Sequence, residues 1–370
     1  MRFVDEFRDP TRAHGLAAAI GRNLDRIPAG RLPLRLMEFC GGHTHTIHRY
    51  GLDRLLDGRI ELVHGPGCPV CVLPRGRVDA CIELALRPDV ILASFGDALR
   101  VPGRRGTLLE ARAAGADVRV VYSPLDALTL ARRERERTVV FFALGFETTM
   151  PATALTLLEA EREGIDRFAV LCNHVTTFAT LRALLEAPGP GLDGFVAPGH
   201  VTMITGTAPY AFVAEEFRRP VVVAGFEPLD LLQALAMLVA QLADGRSEVE
   251  NQYRRVVAAT GNAAARAAIA RVFAPREAFE LRGLGALPEV GVRIAERYAA
   301  FDAERRFPVT VASVDDPAEL RCGDVLRGAL APAACPAFGT RCTPQQPLGA
   351  LMVSSEGACA AACARHRAGP

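Results

Sequence analysis

The sequence has no tryptophan and no lysine, so all 43 of its basic side chains are arginine, and 42 acidic side chains balance them. The net charge of +1 leaves no excess of positive charge for binding nucleic acid through many phosphates. No run of about 18 uninterrupted apolar residues occurs, which is the length that a membrane-spanning helix needs. The closest stretch, 229–243, is interrupted by Asp230, Gln233 and Gln241. These absences argue against a membrane span and against a nucleic-acid-binding protein.

The N-terminus also lacks the basic and then apolar order of a secretory signal, because Asp5, Glu6 and Asp9 closely follow the first methionine. The sequence therefore predicts a cytoplasmic protein. Thiols stay reduced in the cytoplasm, so metal or redox chemistry explains the ten cysteines better than a framework of disulfides does.

The chain has 370 residues, half of them hydrophobic, which predicts two or three domains with packed cores at roughly 100–200 residues per domain. From residue 30 to residue 225, short apolar runs alternate with helical patterns, as is typical of βαβ units and parallel sheets. The predicted strands are 34–39, 60–64, 90–94, 118–122, 139–144, 168–172, 194–197 and 221–224.

Eight strands exceed one modest sheet, and the charged run at 132–137 is typical of a solvated helix end that leads into a linker. We therefore expect an α/β fold with two doubly wound parallel-sheet domains of four consecutive strands each, facing a central cleft. Beyond residue 226 the pattern turns helical, at 229–243, 248–260 and 262–273, before a final segment rich in cysteine, proline and glycine. The predicted ranges are 1–30 for an N-terminal helical segment, 31–134 and 135–226 for the two α/β domains, and 227–370 for a mixed, mainly helical domain.

Residues that carry chemistry recur at the carboxyl ends of the predicted strands, where ligands bind in open parallel sheets. This recurrence predicts a cleft lined by thiols, imidazoles and carboxylates. The segments are CGGHTH at 40–45, HGPGCPVC at 64–71, Gly96-Asp97, GFETT at 145–149, Asn173-His174, PGH at 198–200 and GFE at 225–227.

Cys40 is followed by two glycines, which let the chain turn and leave the thiol near a helix N-terminus, where the dipole favours a thiolate. A thiolate is a metal ligand, although an ordinary buried cysteine is an equal alternative. His43 faces the same turn and is a candidate functional residue, whereas we expect His48 at the surface.

Cys68 and Cys71 form a CxxC pair flanked by Pro66 and Pro69. Such a pair is either half of a metal site or a redox dithiol that can close into a disulfide. No second CxxC lies nearby, which disfavours zinc.

Glu147 lies where a carboxylate could accept a proton or orient a ligand, with Thr148 and Thr149 as donors. Helix capping is the alternative role for these two threonines. Cys81 and Cys172 lie within apolar patterns, and we expect both in the core.

Half of the cysteines lie in the last 49 residues. Four thiolates from an irregular segment suit an iron–sulfur cluster, and zinc also accepts four thiolates. The absence of a CxxC among them favours the cluster. They are Cys322, Cys335, Cys342, Cys359 and Cys363.

Taken together, five segments closely resemble the HypD family of [NiFe]-hydrogenase maturation proteins, over nearly the whole chain. They are FCGGHTH at 39–45, HGPGCPVCV at 64–72, GFETT at 145–149, APGHV at 197–201 and CTPxxPxGxxMVSSEGAC at 342–359. The resemblance implies a scaffold on which the iron of the hydrogenase acquires cyanide and carbon monoxide. It also implies two partners, the small chaperone HypC and the cyanide donor HypE.

By this resemblance Cys40 holds the iron, with His43 beside it, and Cys68 and Cys71 are a redox pair near the iron site. The resemblance further implies a [4Fe-4S] cluster held by Cys322, Cys335, Cys342 and Cys359. Cys363 is a fifth cysteine outside the family's pattern, and it leaves open which of the last two completes the cluster.

Soft thiolate ligands suit low-spin ferrous iron that carries cyanide, so the chemistry agrees with the resemblance. An assembly scaffold with redox activity, rather than a conventional turnover enzyme, is the first hypothesis. The alternative is an iron–sulfur-dependent thiol/disulfide oxidoreductase that acts on a protein partner. A pure disulfide reductase would not need Cys40 and its Gly-Gly turn.

Overall fold

Two parallel β-sheets form the centre of the protein in a computed structural model that describes residues 5–189, 191–309 and 311–367. The first sheet has the strand order β2–β1–β7–β8–β9 and the second the order β4–β3–β5–β6. The predicted α/β class is confirmed, and all eight predicted strands form, with ends within two residues of those expected. The strands are β1 (Leu34–Glu38), β2 (Ile60–His64), β3 (Val90–Ser94), β4 (Val118–Val120), β5 (Thr138–Gly145), β6 (Phe168–His174), β7 (Gly194–Pro198), β8 (Val221–Ala224) and β9 (Val249–Asn251).

The sheets do not divide the strands in chain order. The chain leaves the first sheet after β2, builds the whole second sheet from β3 to β6, and returns to place β7 beside β1, where Leu36 pairs with Gly194. A boundary at residue 134 therefore does not separate the two sheets, and the expected grouping of four consecutive strands per sheet is wrong. Alternating strands and helices predict βαβ units, but strand neighbours depend on long-range pairing that local sequence does not specify.

The helices cover both sheets and start at local signals in the sequence. Thr107 and Glu110 form a reciprocal capping box at α4, and Ser123 and Asp126 form another at α5. The helices are α1 (Pro10–Leu24), α2 (Gly41–Tyr50), α3 (Arg75–Ala85), α4 (Leu108–Ala113), α5 (Pro124–Arg133), α6 (Met150–Glu163), α7 (Thr177–Glu186), α8 (Gly199–Thr205), α9 (Ala211–Glu215), α10 (Pro228–Ala243), α11 (Ala263–Val272), α12 (Ala303–Arg306), α13 (Cys322–Leu326) and α14 (Ala358–Arg367).

The region after residue 226 contributes to both sheets. Helix α10 packs on α1 and β8 of the first sheet, and α11 packs on α6 of the second. The helix expected at 248–260 is wrong, because Val249 pairs with Val221 and so extends the first sheet as the edge strand β9. Two short antiparallel ribbons, not predicted, follow α11: β10 (Phe273–Pro275) with β13 (Val292–Ile294), and β11 (Ala278–Leu281) with β12 (Gly285–Pro288).

The cysteine-rich segment packs into the core of the protein. Leu351, Met352 and Val353 are buried in one apolar cluster with Val70 and Leu73 of the loop after β2. Burying each of these side chains contributes about 1.5–3 kcal/mol, which anchors an otherwise irregular segment. Helix α14 then lies against α2, the helix that follows β1.

None of the helices in the described residues is both long enough and apolar enough to cross a bilayer.

Candidate functional site

A cavity of about 410 Å³ lies at the carboxyl ends of strands from both sheets. The loops after β1, β2, β5, β7 and β8 all reach it, as the rule for ligand sites in parallel sheets predicts. We call this cavity the cleft. Its walls are mainly apolar, and the side chains that bring metal-binding or proton-transfer chemistry to it are Cys40, His200 and Glu356.

Cys40 lies between the end of β1 and the start of α2, and it borders the cleft. Burial raises the pKa of this thiol to about 12, helped by the nearby Glu38 carboxyl, while the amides of Gly42 and His43 act in the opposite direction. Burial therefore opposes the thiolate that the helix terminus was expected to favour. A metal would have to displace the proton.

The two glycines after Cys40 are required by close packing. A Cβ on Gly41 would lie 2.5 Å from Cβ of Glu356, and a Cβ on Gly42 would lie 2.9 Å from the ring of Phe226. Any larger residue would push the Cys40 turn away from these neighbours. The motif thus fixes the turn against two distant segments of the chain.

Glu356 shares the cleft with Cys40 and was not singled out from the sequence, although it lies inside a quoted motif. Burial raises the pKa of its carboxyl, and the charge of His45 acts in the opposite direction. The serines and glycine around it in the SSEG stretch were the available signal.

His43 lies three residues after Cys40 in the chain but does not border the cleft. Its ring is fully buried behind Phe226, with the ring centroids 4.8 Å apart, and its Nε2 lies 3.3 Å from the carbonyl oxygen of Ala224. Burial lowers the pKa of this imidazole. His200 stacks on the ring of Phe226, at 3.9 Å between centroids, and it does reach the cleft.

Glu147 is buried and holds the start of α7. Its Oε1 accepts from the backbone N–H of Thr177 at 2.9 Å, and its Oε2 accepts from the hydroxyl of the same residue at 2.7 Å. Burial raises the pKa of the carboxyl, and the bonds to Thr177 oppose that rise. The structure thus gives Glu147 a capping contact, and the cleft beside it is lined by its neighbours Thr148 and Thr149 instead.

Cys68 and Cys71 lie together in a tight turn directly behind the cleft. The backbone N–H of Cys71 donates to the carbonyl of Cys68 at 3.0 Å, and both thiols are free and nearly inaccessible, 5% and 1% exposed. Burial, followed by the contact with Cys68, raises the pKa of Cys71 well above its usual value. Gly67, one residue before the pair, packs against the Phe39–Cys40 backbone and so places the pair next to the Cys40 turn.

Four C-terminal cysteines surround one small pocket, which we call the cysteine pocket. Cys363 does not border it, although it is one helical turn from the last of the four and also buried. Burial raises the pKa of Cys322 to about 12 and that of Cys359 well above its usual value. The four are Cys322, Cys335, Cys342 and Cys359.

The cysteine pocket fits an iron–sulfur cluster by its donors. No Asp, Glu or His side chain of the described residues borders it, and four thiols are the donor set that such clusters take. The N–H of Gly349 points at Sγ of Cys342 at 3.5 Å, and a Cβ on this glycine would lie 2.6 Å from Sγ of Cys322. Among the described residues no three metal-binding side chains converge on a single-ion site. A cluster differs in this respect, since each thiolate binds a different iron.

One short segment joins the three sets of cysteines. Glu356 borders the cleft beside Cys40, a Cβ on Gly357 would lie 3.2 Å from Sγ of Cys71, and Cys359 borders the cysteine pocket. Burial is the main cause of the raised pKa of Cys71, and the proximity of Cys359 adds to it. The structure therefore brings Cys40, the CxxC pair and the cysteine pocket into one continuous region.

The chain is similar to known proteins over nearly its whole length. The family model HypD, described as "Hydrogenase formation hypA family", matches residues 13–366. The chain is 56% identical over 366 residues to the hydrogenase maturation factor HypD of Rhodobacter capsulatus, covering 98% of this chain and 97% of the relative. It is 54% identical to HypD of Escherichia coli (98% and 97%) and 48% identical to HypD of Cupriavidus necator (98% and 96%). The chain belongs to the HypD family.

The structure of this HypD-family chain also shows a buried polar group that sequence reasoning missed. Glu38 ends β1, is 1% exposed, and accepts the backbone N–H of Cys40 at 2.8 Å. Glu38 pairs in register with His64 on β2, and the His64 ring contacts its carboxylate. The ring of His48 in turn contacts His64. His48, expected at the surface, is half-buried, with its ring packed against His64 and the centroids 4.8 Å apart. The signal was a carboxylate that ends an apolar strand directly before the CGG turn.

Three other candidates from the strand ends lie outside the cleft in this HypD-family fold. Asn173 accepts from Arg77, His174 is buried against Phe273, and Glu227 pairs with Arg8 at 2.6 Å. These side chains serve packing and ion pairing, so the cleft is poorer in polar groups than the sequence predicts. Cys81 and Cys172 are in the core, as expected.

Proposed function

We propose that the chain is a cytoplasmic [NiFe]-hydrogenase maturation factor that acts as a scaffold for the Fe(CN)₂CO unit of the hydrogenase active site. In this proposal it works with a HypC-type chaperone and accepts cyanide from a HypE-type donor. Iron is the substrate, and Cys40 is its thiolate ligand, with Cys68 and Cys71 behind it. The observation that carries the proposal is that, among the described residues, Cys40 is the one thiol bordering the cleft, and Gly67 lets the CxxC loop pack against it.

The donor chemistry supports this role for Cys40. Ferrous iron that carries cyanide is electron-rich and low-spin, and it prefers a thiolate to a carboxylate. The cleft is mainly apolar, so few protein side chains there would compete with small diatomic ligands for the iron. Glu356 is the carboxylate that borders the cleft together with Cys40, and it would accept the thiol proton when iron binds.

The CxxC pair supports the redox part of the proposal. Cleavage of a sulfur-bound cyanide carrier breaks the S–C bond and requires two electrons, leaving a thiolate on the carrier and cyanide for the iron. Oxidation of the Cys68–Cys71 dithiol to a disulfide releases two electrons and two protons, so the step balances. Cys68 and Cys71 are close in chain and space, so closing the disulfide needs little backbone movement.

The cysteine pocket supports the assignment of a [4Fe-4S] cluster to Cys322, Cys335, Cys342 and Cys359 rather than to Cys363. A cluster bound there would supply one-electron chemistry to restore the dithiol. Gly357 lies between the cysteine pocket and Cys71, and because it has no side chain the two can come close together.

The alternative function, a thiol/disulfide oxidoreductase for a protein partner, agrees less well with the geometry. Such an enzyme must present its CxxC to a partner disulfide, yet Cys68 and Cys71 are almost inaccessible and do not border the cleft. It also leaves Cys40 without a role.

The test is anaerobic co-purification of the chain with a HypC-type partner, from cells that supply a HypE-type donor, followed by iron analysis and infrared spectroscopy. We expect cyanide and carbon monoxide bands from the parent chain and none from Cys40→Ser, because a serine hydroxyl is a poor ligand for soft iron. Cys172→Ser is the matched control, since Sγ of Cys172 already donates to the carbonyl of Val292 at 3.3 Å and a hydroxyl can replace it. Bands of normal intensity in Cys40→Ser would move the iron to Cys68 and Cys71.

A further inference from the structure

A buried carboxylate lies beneath the Cys40 turn. Glu38 accepts the backbone N–H of Cys40 with Oε2 at 2.8 Å, while Oε1 accepts the hydroxyl of Thr44 and lies 2.7 Å from Nδ1 of His64. Burying a carboxylate costs several kcal/mol unless donors surround it, so its position at 1% exposure requires all three donors. A fold that needed only a packed strand end would place an apolar residue here.

The donors define a direction for the hydrogen bonds. Nδ1–H of His64 donates to the Glu38 carboxylate, so Nε2 of His64 carries no hydrogen. This Nε2 accepts a hydrogen bond from Nε2–H of His48 at 3.1 Å. Nδ1 of His48 then also carries no hydrogen, which agrees with its having no hydrogen-bond partner among the described residues. Burial and the neighbouring His64 lower the pKa of His48 to about 3, which keeps it in this neutral form. We call Glu38, His64 and His48 the buried triad.

The triad fixes the start of α2 from outside the helix. Cys40 is the N-cap residue of α2. An N-cap residue usually turns its side chain inward to the helix amides. Here Glu38 binds the N–H of Cys40 and the hydroxyl of Thr44 in the first turn, so the turn is fixed while the thiol stays directed to the cleft.

We propose that the buried triad is a positioning device that holds the Cys40 turn in the geometry required to bind iron. Glu38 makes the contact, His64 orients Glu38, and His48 orients His64. The inference rests on the proposed role of Cys40 as the iron ligand.

The test compares variants that remove or retain each donor, in chain co-purified anaerobically with its partners. His64→Leu removes the donor to Glu38, whereas His64→Asn keeps a side-chain N–H near the position of Nδ1. We expect His64→Leu to reduce the iron retained beyond the cluster at least tenfold and to broaden the cyanide bands, since a hydrogen bond to a charged group is lost. His64→Asn should restore most of the iron and the narrow bands.

A second pair keeps the test decisive if His64→Leu fails to fold. His48 borders a second cavity between α1, α2 and α14, so substitutions there cause little overpacking. His48→Leu should reduce iron retention about threefold, because a hydrogen bond between neutral groups is lost, and His48→Gln, which keeps a donor near Nε2, should restore it. The visible absorption of the cluster should be unchanged in all folded variants.

Parental iron retention and band widths in the leucine variants would overturn the inference. So would asparagine and glutamine variants no better than leucine, since ring packing rather than hydrogen bonding would then be responsible. Cys40→Ser separates this result from a failure of the proposed function. If Cys40→Ser loses the iron while the leucine variants keep it, only the role of the triad is refuted. If Cys40→Ser keeps the iron, the proposed role of Cys40 as the iron ligand is refuted, and the role of the triad is refuted with it.

Discussion

Gly67 offers a direct test of whether the Cys40 turn and the CxxC loop must touch. A Cβ at this position would lie 2.0 Å from the carbonyl carbon and oxygen of Phe39 and 2.2 Å from the nitrogen of Cys40. These neighbours are backbone atoms and cannot rotate away. Ordinary contact begins at 3.4 Å, so Gly67→Ala must move the two loops apart by about 1.4 Å, the difference from 2.0 Å.

A displacement of this size should impair the site far more than the fold. Misplacing reacting groups by about 1 Å costs on the order of 100-fold in rate, and we expect a loss of that order in the rate at which cyanide bands appear. The measurement is the time course of the infrared bands during anaerobic loading with the partner proteins. Absorption by the cluster should persist, because Gly67 does not border the cysteine pocket.

The matched control is Gly15→Ala, on α1. Nothing lies within 4 Å of a Cβ at Gly15, and alanine should stabilise the helix by about 0.5–1 kcal/mol without changing the loading rate. Loading of Gly67→Ala at the parental rate, in a folded protein, would refute the reasoning. The contact between the two loops would then be incidental to the chemistry.

Three other predictions follow from the positions of particular side chains. Cys359→Ser should abolish the broad visible absorption of the cluster and Cys363→Ser should retain it, with the reverse pattern contradicting the ligand assignment. Thiol labelling of Cys68 and Cys71 should change together with redox poise, and labelling that never changes would indicate a permanent metal pair. The pKa of His174 is lowered by burial to about 4 from 6.5, so about 3 kcal/mol of stability, present above pH 6.5, should be lost as the pH falls towards 4. Denaturant unfolding of His174→Asn should show a shallower pH dependence over this interval.

Local sequence predicted the strands well because both faces of these sheets are covered. Every residue of β3 is buried, as are seven of the eight residues of β5, so each strand is a nearly continuous apolar run. The strand neighbours could not be predicted in this way. The pairing of Leu36 with Gly194 joins segments 158 residues apart in the chain, and nothing in either segment specifies the other.

The site was predictable where the chemistry shows in residue type and not where it depends on packing. Cys40 stands out because a Gly-Gly turn follows it, and the C-terminal cysteines stand out because several thiols lie in one irregular segment. Glu147 stands out in the same way, yet its carboxylate caps α7 through Thr177. Glu38 does not stand out, since a lone carboxylate at a strand end is usually solvated, and only the fold buries it against His64.

The segment from Glu356 to Cys359 suggests why the site is assembled from such distant parts of the chain. By our proposal Cys359 binds the cluster, and because metal binding contributes folding energy to an irregular segment, the cluster also holds Glu356 and Gly357 in place. Gly41 packs on Glu356, and Cys71 approaches Gly357, so both iron-site elements rest on this segment. Loss of the cluster would therefore loosen the Cys40 turn and the dithiol together, without any change to their own residues. Structural support and electron supply would then depend on the same four thiolates.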